Sequence, residues 1–462
     1  MAYTYTPSNI TAKHKMNLSV WSLQITSLIN SIVELFTSSF LVSFIMQVNV
    51  DEPISATLVS IALYYISLYA VMFIAYTLLG YLVDRSNRIG YYRAGILLKG
   101  AFIVVIIFLG RDLAQNTILA GAFIGLSEAF YYSSYNVLKG EIIPRTHADK
   151  YITVSNILKK VISIVFPILI GYLIDVSTYT TVAIYVLVIV AIQFIFSCLI
   201  KSQRPENSVF ELFKYLKALR QKTEDTQRIK RFYPAVAGYA CTTLISSCIT
   251  LLTIYTFRTN LNLGLFTALF SFITIICLVL YKRYTKPGHR RGLLIFLSIL
   301  PVLSSVLVAI YISKWTYIIY NLVMTVCQCL LAYTLDIYRT ILLKKTNHYE
   351  FIAEHQTVTE GIFEIVRVIT YCLMLVLGIT LELTGLKILI AIVSLCYPIM
   401  AISLIKTEDV EKNYSIETVV ASVEATVEED GKEEIILVEE IRDVEERENS
   451  DENAKKHGSD NK

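Results

Sequence analysis

From residue 18 to residue 405 this chain is a succession of apolar runs, many of 18 residues or more, separated by short segments that hold most of its lysines and arginines. A helix needs a run of about that length to cross roughly 30 Å of hydrocarbon. Within hydrocarbon each backbone N–H and C=O has to be bonded inside the segment, which a helix does by itself. The composition agrees: 55% of residues are hydrophobic and 17% are charged, where soluble domains have about a quarter charged. The chain reads as an all-α, multi-pass membrane protein.

Twelve spans are expected, near residues 18–48, 54–83, 92–110, 114–138, 152–175, 180–200, 233–257, 262–281, 292–313, 315–338, 356–381 and 384–405. One alternating set of loops, with Lys159 and Lys160 counted in it, carries 27 Lys and Arg; the other carries four, Arg111, Arg258, Lys314 and Lys387. Cytoplasmic loops are the basic ones, so both termini are expected in the cytoplasm. Met1 to Asn17 lack the apolar core and cleavage site of a signal peptide. The first span is therefore expected to insert as its own signal.

The longest loop divides the spans six and six. The expected organisation is an N-terminal six-helix bundle (1–200), a cytoplasmic linker (201–232), a C-terminal six-helix bundle (233–405) and an acidic cytoplasmic tail (406–462). In the linker, Phe210 to Leu219 places basic residues between apolar ones at helical spacing. That fits a helix on the inner membrane face or a plain helical connector. The tail has 19 acids against 8 bases, and the remainder 33 bases against 19 acids, so the overall charge of +3 hides a split. Val419 to Val427 alternate and Asp430-Gly431 follow, a hairpin signal; Ile416, Val419, Val420, Val423 and Val427 fit a helix equally well. Glu445 to Lys462 read as disordered. The tail is either an electrostatic latch on the basic inner loops or a solvated extension. All eight cysteines lie in apolar runs without metal-ligand spacing, and are expected to act as small apolar side chains.

An ionisable side chain at bilayer depth is costly, and is a functional candidate by default. Glu34 lies near the middle of the first span, with Asn30, Ser31 and Ser38 on one helical face. Glu128 lies near the middle of the fourth, beside Tyr131, Tyr132 and Tyr135. Both are candidates to bind a proton or a cationic substrate; the alternative is a protonated carboxyl bonded to a neighbouring helix. Asp336 and Arg339 lie near the inner end of span ten. Glu360, Glu364 and Arg367 share one face of span eleven. Arg367 has the choice of Glu364 or Asp336, and the favoured reading is an ion-pair cluster at the inner end. Asn321 and Gln328 in span ten, and Tyr239, Thr242, Thr243 and Ser246 in span seven, are candidate cavity residues or interhelical hydrogen-bonding groups. Lys99 is expected to snorkel.

After the second span comes Gly80-Tyr81-Leu82-Val83-Asp84-Arg85-Ser86-Asn87-Arg88. This segment resembles the loop between the second and third helices of major facilitator superfamily transporters. Gly80, Asp84, Arg85 and Arg88 fit that pattern; Asn87 stands where the family has a second Gly, and Ile89 replaces a base. The corresponding segment of the second half, Lys282 to Arg291, keeps a Gly and bases but lacks the Asp. The resemblance implies two six-helix bundles, a central cavity lined by spans one and four in the first half, and a gating role for Gly80, Asp84, Arg85 and Arg88. Phe166-Pro167-Ile168-Leu169-Ile170-Gly171 is distantly similar to a Gly-Pro-rich stretch of antiporters in that family. The Arg of span four in proton-coupled members is missing, which leaves Glu34 or Glu128 as substitutes.

No nucleotide-binding, triad or metal motif is present, so neither an enzyme nor a cofactor is expected, and nucleic acid is not an expected partner. The expected function is secondary transport by alternating access, in the form of proton-coupled export of a hydrophobic or cationic small molecule. Proton-symport uptake of a nutrient or peptide is the alternative; a membrane sensor or scaffold is a third. The expected form is a monomer in the plasma membrane.

Overall fold

The structure is a computed structural model that describes residues 18–49, 53–85, 88–143, 148–201, 210–221, 223–257, 259–284, 290–311, 313–345 and 351–407. Among them every regular element is helical. α1 (Leu18–Leu35) runs through one π-helical turn (Phe36–Phe40) into α2 (Leu41–Val48), and the three form one span. There follow α3 (Ile54–Arg85), α4 (Arg88–Leu109), α5 (Thr117–Ile142), α6 (Ala148–Val176), α7 (Tyr179–Ser197), the short α8 (Leu212–Leu219), α9 (Glu224–Phe257), α10 (Asn260–Tyr284), α11 (Arg290–Ile310), α12 (Lys314–Lys345) and α13 (Ile352–Ser394). Helix resumes after Leu395 and continues to residue 407. The described residues up to Ile405 form one compact unit. The tail segments read as hairpin or helix lie outside the described residues.

Among the described residues, eleven segments are long and apolar enough to cross a membrane. The fourth expected span is not among them. Its helix, α5, is 26 residues long, but Ser127, Glu128, Ser133 and Ser134 are buried along it. α13 runs from one expected span, 356–381, into the first part of the next, 384–405, in one helical run. It does not continue as a straight rod. A methyl group on Gly385 would collide with the carbonyl of Leu377, eight residues earlier, and a straight helix would separate them by about 12 Å. The chain therefore doubles back there.

Three helices carry internal proline, at Pro167, Pro234 and Pro301. The break in α9 is repaired from another helix. The Ala235 N–H, whose helical acceptor would be Arg231 O, donates instead to Ser403 Oγ at 3.0 Å. The same hydroxyl donates to Arg231 O. Ser403 is thus spliced into the missing turn, which is how a bilayer tolerates a helix breaker. α7 starts at a conventional N-cap, with Thr178 Oγ1 accepting from Thr181 N at 3.1 Å.

Two of the extensive interhelical contacts are built in opposite ways. α6 meets α10 backbone to backbone: a Cβ on Gly171 would lie 2.5 Å from Asn260 O, and one on Gly264 would strike Pro167 O. α3 meets α13 through side chains. Tyr65 stacks on Tyr371 at 4.5 Å, and the Arg367 guanidinium lies 5.0 Å over the ring of Tyr69. Gly121 and Gly125 bring α5 against the carbonyls of Tyr64 and Leu68 on α3, as internal packing requires.

The linker helix α8 docks by one face on the rest of the unit. Phe210, Tyr215 and Leu219 are buried, while Phe213 is 79% exposed. Phe210 sits in the notch left by Gly80, where an added Cβ would be 2.9 Å from its ring. The Glu211 N–H donates to Glu354 at 2.7 Å. The Tyr215 hydroxyl is 2.8 Å from His355 Nδ1 and 2.9 Å from the Tyr233 hydroxyl; burial pushes its pKa up, so it stays a neutral phenol.

Candidate functional site

A cavity of about 530 Å³ lies among α1, α6, α9, α10 and α12. Its charged lining residues, among those described, are Glu34 on α1, Lys159 and Lys160 on α6, and Asp336 on α12. α10 contributes an apolar wall of Leu263, Phe266, Phe270 and Leu278. Hydroxyl and amide groups fill much of the rest, among them Ser31 and Ser38 beside Glu34, and Asn321 and Gln328 on α12.

Glu34 is half-buried and faces this space. Asn30, one turn earlier, donates from Nδ2 to Glu34 Oε1 at 2.9 Å, and the Tyr132 hydroxyl donates to the same oxygen. The other end of the Asn30 amide accepts from Lys99 Nζ at 2.8 Å. Lys99 is also 2.6 Å from Glu128 Oε1 and lies 5.2 Å over the ring of Tyr131. Tyr131 stacks on Tyr135, whose hydroxyl donates to Ser27 at 3.1 Å. A continuous polar chain therefore runs Glu34, Asn30, Lys99, Glu128 through three helices. The π-helical turn begins two residues beyond Glu34; such widened turns recur at functional sites.

Two sequence expectations change here. Lys99 does not snorkel: it is 1% exposed. It lies on the α4 face turned toward α1 and α5, where Asn30 and Glu128 satisfy its charge. Lys159 and Lys160, counted among the loop cations, lie about three turns inside α6 and line the cavity. A signal for them was present. Asn156, Lys159, Lys160 and Ser163 recur at 3, 4 and 7 residues from the first, which is one helical stripe.

The two candidate carboxylates are not equivalent. Glu34 borders the cavity; Glu128 is 8% exposed, is not among the lining residues, and is bound by Lys99. Asn30, Tyr131 and Tyr135 support the network without lining the cavity. Asn321 and Gln328 line it. Asn321 donates to the Tyr317 hydroxyl at 2.9 Å and Gln328 to Thr242 O at 3.5 Å. Of the span-seven candidates, Tyr239 and Ser246 face the cavity, while Thr242 and Thr243 bond within α9.

In the inner cluster, Arg367 takes Glu364, at 2.8 Å. Arg339 pairs with Glu360 and holds Gln356 Oε1 at 2.6 and 2.9 Å. Asn136 on α5 reaches Glu360 at 3.4 Å and the Tyr76 hydroxyl at 3.3 Å. Asp336 is a cavity residue. In the loop motif, Gly80 receives Phe210, and Arg88 opens α4, buried. Asp84 and Arg85 close α3, with side chains outside the described residues; Asn87 and 285–289 of the second copy also lie outside them.

Residues 24–351 match the profile of the family described as Major Facilitator Superfamily. The crystal structure of the human organic anion transporter MFSD10 (TETRAN) superposes with a TM-score of 0.59 at 12% identity, covering 85% of this chain and 100% of the other. A mutant of the nucleoside transporter NupG gives 0.61 at 12% identity, with coverage of 85% and 100%. A POT family transporter in complex with a thioalcohol-conjugated peptide gives 0.60 at 14%, with coverage of 85% and 96%. At these identities the likeness is one of fold. Two curated relatives match shorter stretches. The uncharacterized protein YqgE of Bacillus subtilis (strain 168) is 27% identical over 121 residues, 26% of this chain and 28% of that protein. An uncharacterized protein in the sodM 3′ region of Geobacillus stearothermophilus is 26% identical over 115 residues, 25% of this chain and 54% of its own. The matched stretch spans less than two thirds of either relative.

Proposed function

Because this chain belongs to the Major Facilitator Superfamily, we propose that it is a proton-coupled secondary transporter that moves a small molecule by alternating access. α5 is the twelfth span: it is long enough, and its polar centre is covered by α3 and α4. The spans form two six-helix halves, 1–200 and 233–405, joined by the 201–232 linker, with both termini in the cytoplasm. The protein is a multi-pass integral membrane protein, here assigned to the plasma membrane as a monomer. Gly80, Asp84, Arg85 and Arg88 belong to the gate at the cytoplasmic end, together with the Arg339–Glu360 and Glu364–Arg367 pairs.

The observation that carries the proton reading is the placement of Glu34. It is the carboxylate of the α1–α4–α5 network that faces the cavity, and Asn30 and Tyr132 hold it there. Lys99 offsets the charge of Glu128, so of these two carboxylates Glu34 is the one that meets the cavity and is assigned the proton. The halves then rock about this site at mid-membrane depth.

Export of a hydrophobic or cationic compound is supported by Glu34 and the apolar wall of α10. Lys159 and Lys160 favour the second reading, proton-symport uptake of a nutrient or peptide, because a purely cationic cargo meets them as like charges. The fold does not decide between them, since organic anion, nucleoside and peptide-complexed transporters share it.

The test uses purified full-length protein in liposomes with an enclosed pH dye. Lipophilic cations, amino acids, small peptides and nucleosides are added to wild type, Glu34→Gln and Glu128→Gln. Solute-driven proton movement in wild type that Glu34→Gln abolishes is the expected result. Equal movement in Glu34→Gln would refute the assignment of the proton site.

A further inference from the structure

The charges bordering the cavity are of both signs and come from different helices. Glu34 on α1 and Asp336 on α12 are acidic; Lys159 and Lys160, adjacent on α6, are basic. α10 adds a mainly apolar, partly aromatic lining, with Leu263, Phe266, Phe270 and Leu278 beside Thr267 and Ser271. About 530 Å³ is enough for a body of dipeptide size. We infer that the cargo is dipolar, a small solute with a cationic group, an anionic group and an apolar body.

The reason is electrostatic. At bilayer depth a charge needs a counter-charge or water, and closure of an alternating-access site removes water. A cargo with only a positive charge would be drawn to Glu34 and then trapped beside two lysines. A cargo with only a negative charge would meet the reverse problem at Glu34 and Asp336. A dipolar cargo satisfies both signs at once, with its cation at Glu34 or Asp336 and its anion at Lys159 or Lys160. Its net charge is zero, so the occluded site gains none as it crosses. The discrimination arises as much from rejection of singly charged analogues as from attraction of the right one. This inference rests on the transporter reading above but not on the direction of transport.

The same liposomes supply the test, with matched triads in place of a mixed panel. Each triad is one apolar dipeptide, its N-acetyl derivative (anion only) and its C-terminal amide (cation only); L-alanyl-L-leucine is the first. Tetraphenylphosphonium serves as the lipophilic cation. The expected result is that the unblocked dipeptide drives proton movement about tenfold or more faster than either blocked form, at equal concentration. In Lys159→Gln/Lys160→Gln the amide should gain on the dipeptide, since the anion-binding wall is gone. If blocked and unblocked forms move equally, or only tetraphenylphosphonium moves, the dipolar cargo is refuted while the transporter reading stands. Silence from every probe in wild type, with the protein still monodisperse, would refute both.

Discussion

Where α6 meets α10, backbone lies against backbone; where α3 meets α13, side chains stand between. The first seam is made by Gly171 and Gly264, each admitting a carbonyl of the opposite helix. It is finished by Asp175, whose carboxylate accepts from Asn260 Nδ2 at 2.8 Å and Leu261 N at 2.9 Å at the start of α10. An acid at a helix N-terminus is favourable by both charge and hydrogen bonding. The second seam is filled by Tyr65, Tyr69, Tyr371 and Arg367. A seam of carbonyls and glycines tolerates almost no thickening but has little side-chain energy to lose. A seam of rings and buried charge has much to lose, and it can repack. The comparison therefore predicts that substitutions at α3–α13 act first on stability, and those at α6–α10 first on transport.

The largest expected effect comes from Arg367→Leu, which leaves Glu364 buried without its partner. Loss of one member of a buried pair costs roughly 3–5 kcal/mol, read as a lower thermal midpoint of the detergent-purified protein. Adding Glu364→Gln should recover much of it; failure to recover would mean that the guanidinium acts through its ring contacts. Next, Gly264→Val forces α6 and α10 apart. Overpacking costs about 1–3 kcal/mol, but the decisive reading is transport, expected to fall further than the midpoint does. A stable, fully active Gly264→Val would break the comparison. Tyr65→Leu removes a stacked pair that contributes about 0.5–1.5 kcal/mol beyond its area, with transport little changed. The smallest effect is expected from Asp175→Asn, which keeps an acceptor and loses the charge, at about 0.3–1 kcal/mol. Its signature should be kinetic, as faster exchange of cargo across the end of the bundle where α10 begins.

Part of this was legible in the chain and part was not. Eleven of the expected spans follow from run length, and the sidedness expectation from loop charge, because both depend on composition along a segment. Glu34 and Glu128 stand out since carboxylates are rare in such runs. Which of them faces water did not follow. In a helix that is apolar all round, the pattern carries little information about which side meets which neighbour. Lys99 illustrates the limit: its burial depends on Asn30, which lies 69 positions earlier. Lys159 and Lys160 were readable as part of a stripe with Asn156 and Ser163, but a rule that assigns lysines to loops hid them. The docking of Phe210 into the Gly80 notch is a long-range fit that neither segment announces alone.

The hydroxyl of Ser403 at the proline break of α9 bears on how the protein is made. α9 leaves the ribosome well before residue 403 is synthesised, so its interrupted turn enters the bilayer with the Ala235 donor and the Arg231 acceptor still waiting for each other's substitute. The helix that follows Leu395 is the splint that completes α9. α9 is therefore finished by a residue made about 170 positions later, and a chain cut short before residue 403 is expected to carry the defect in a helix it has already built in full.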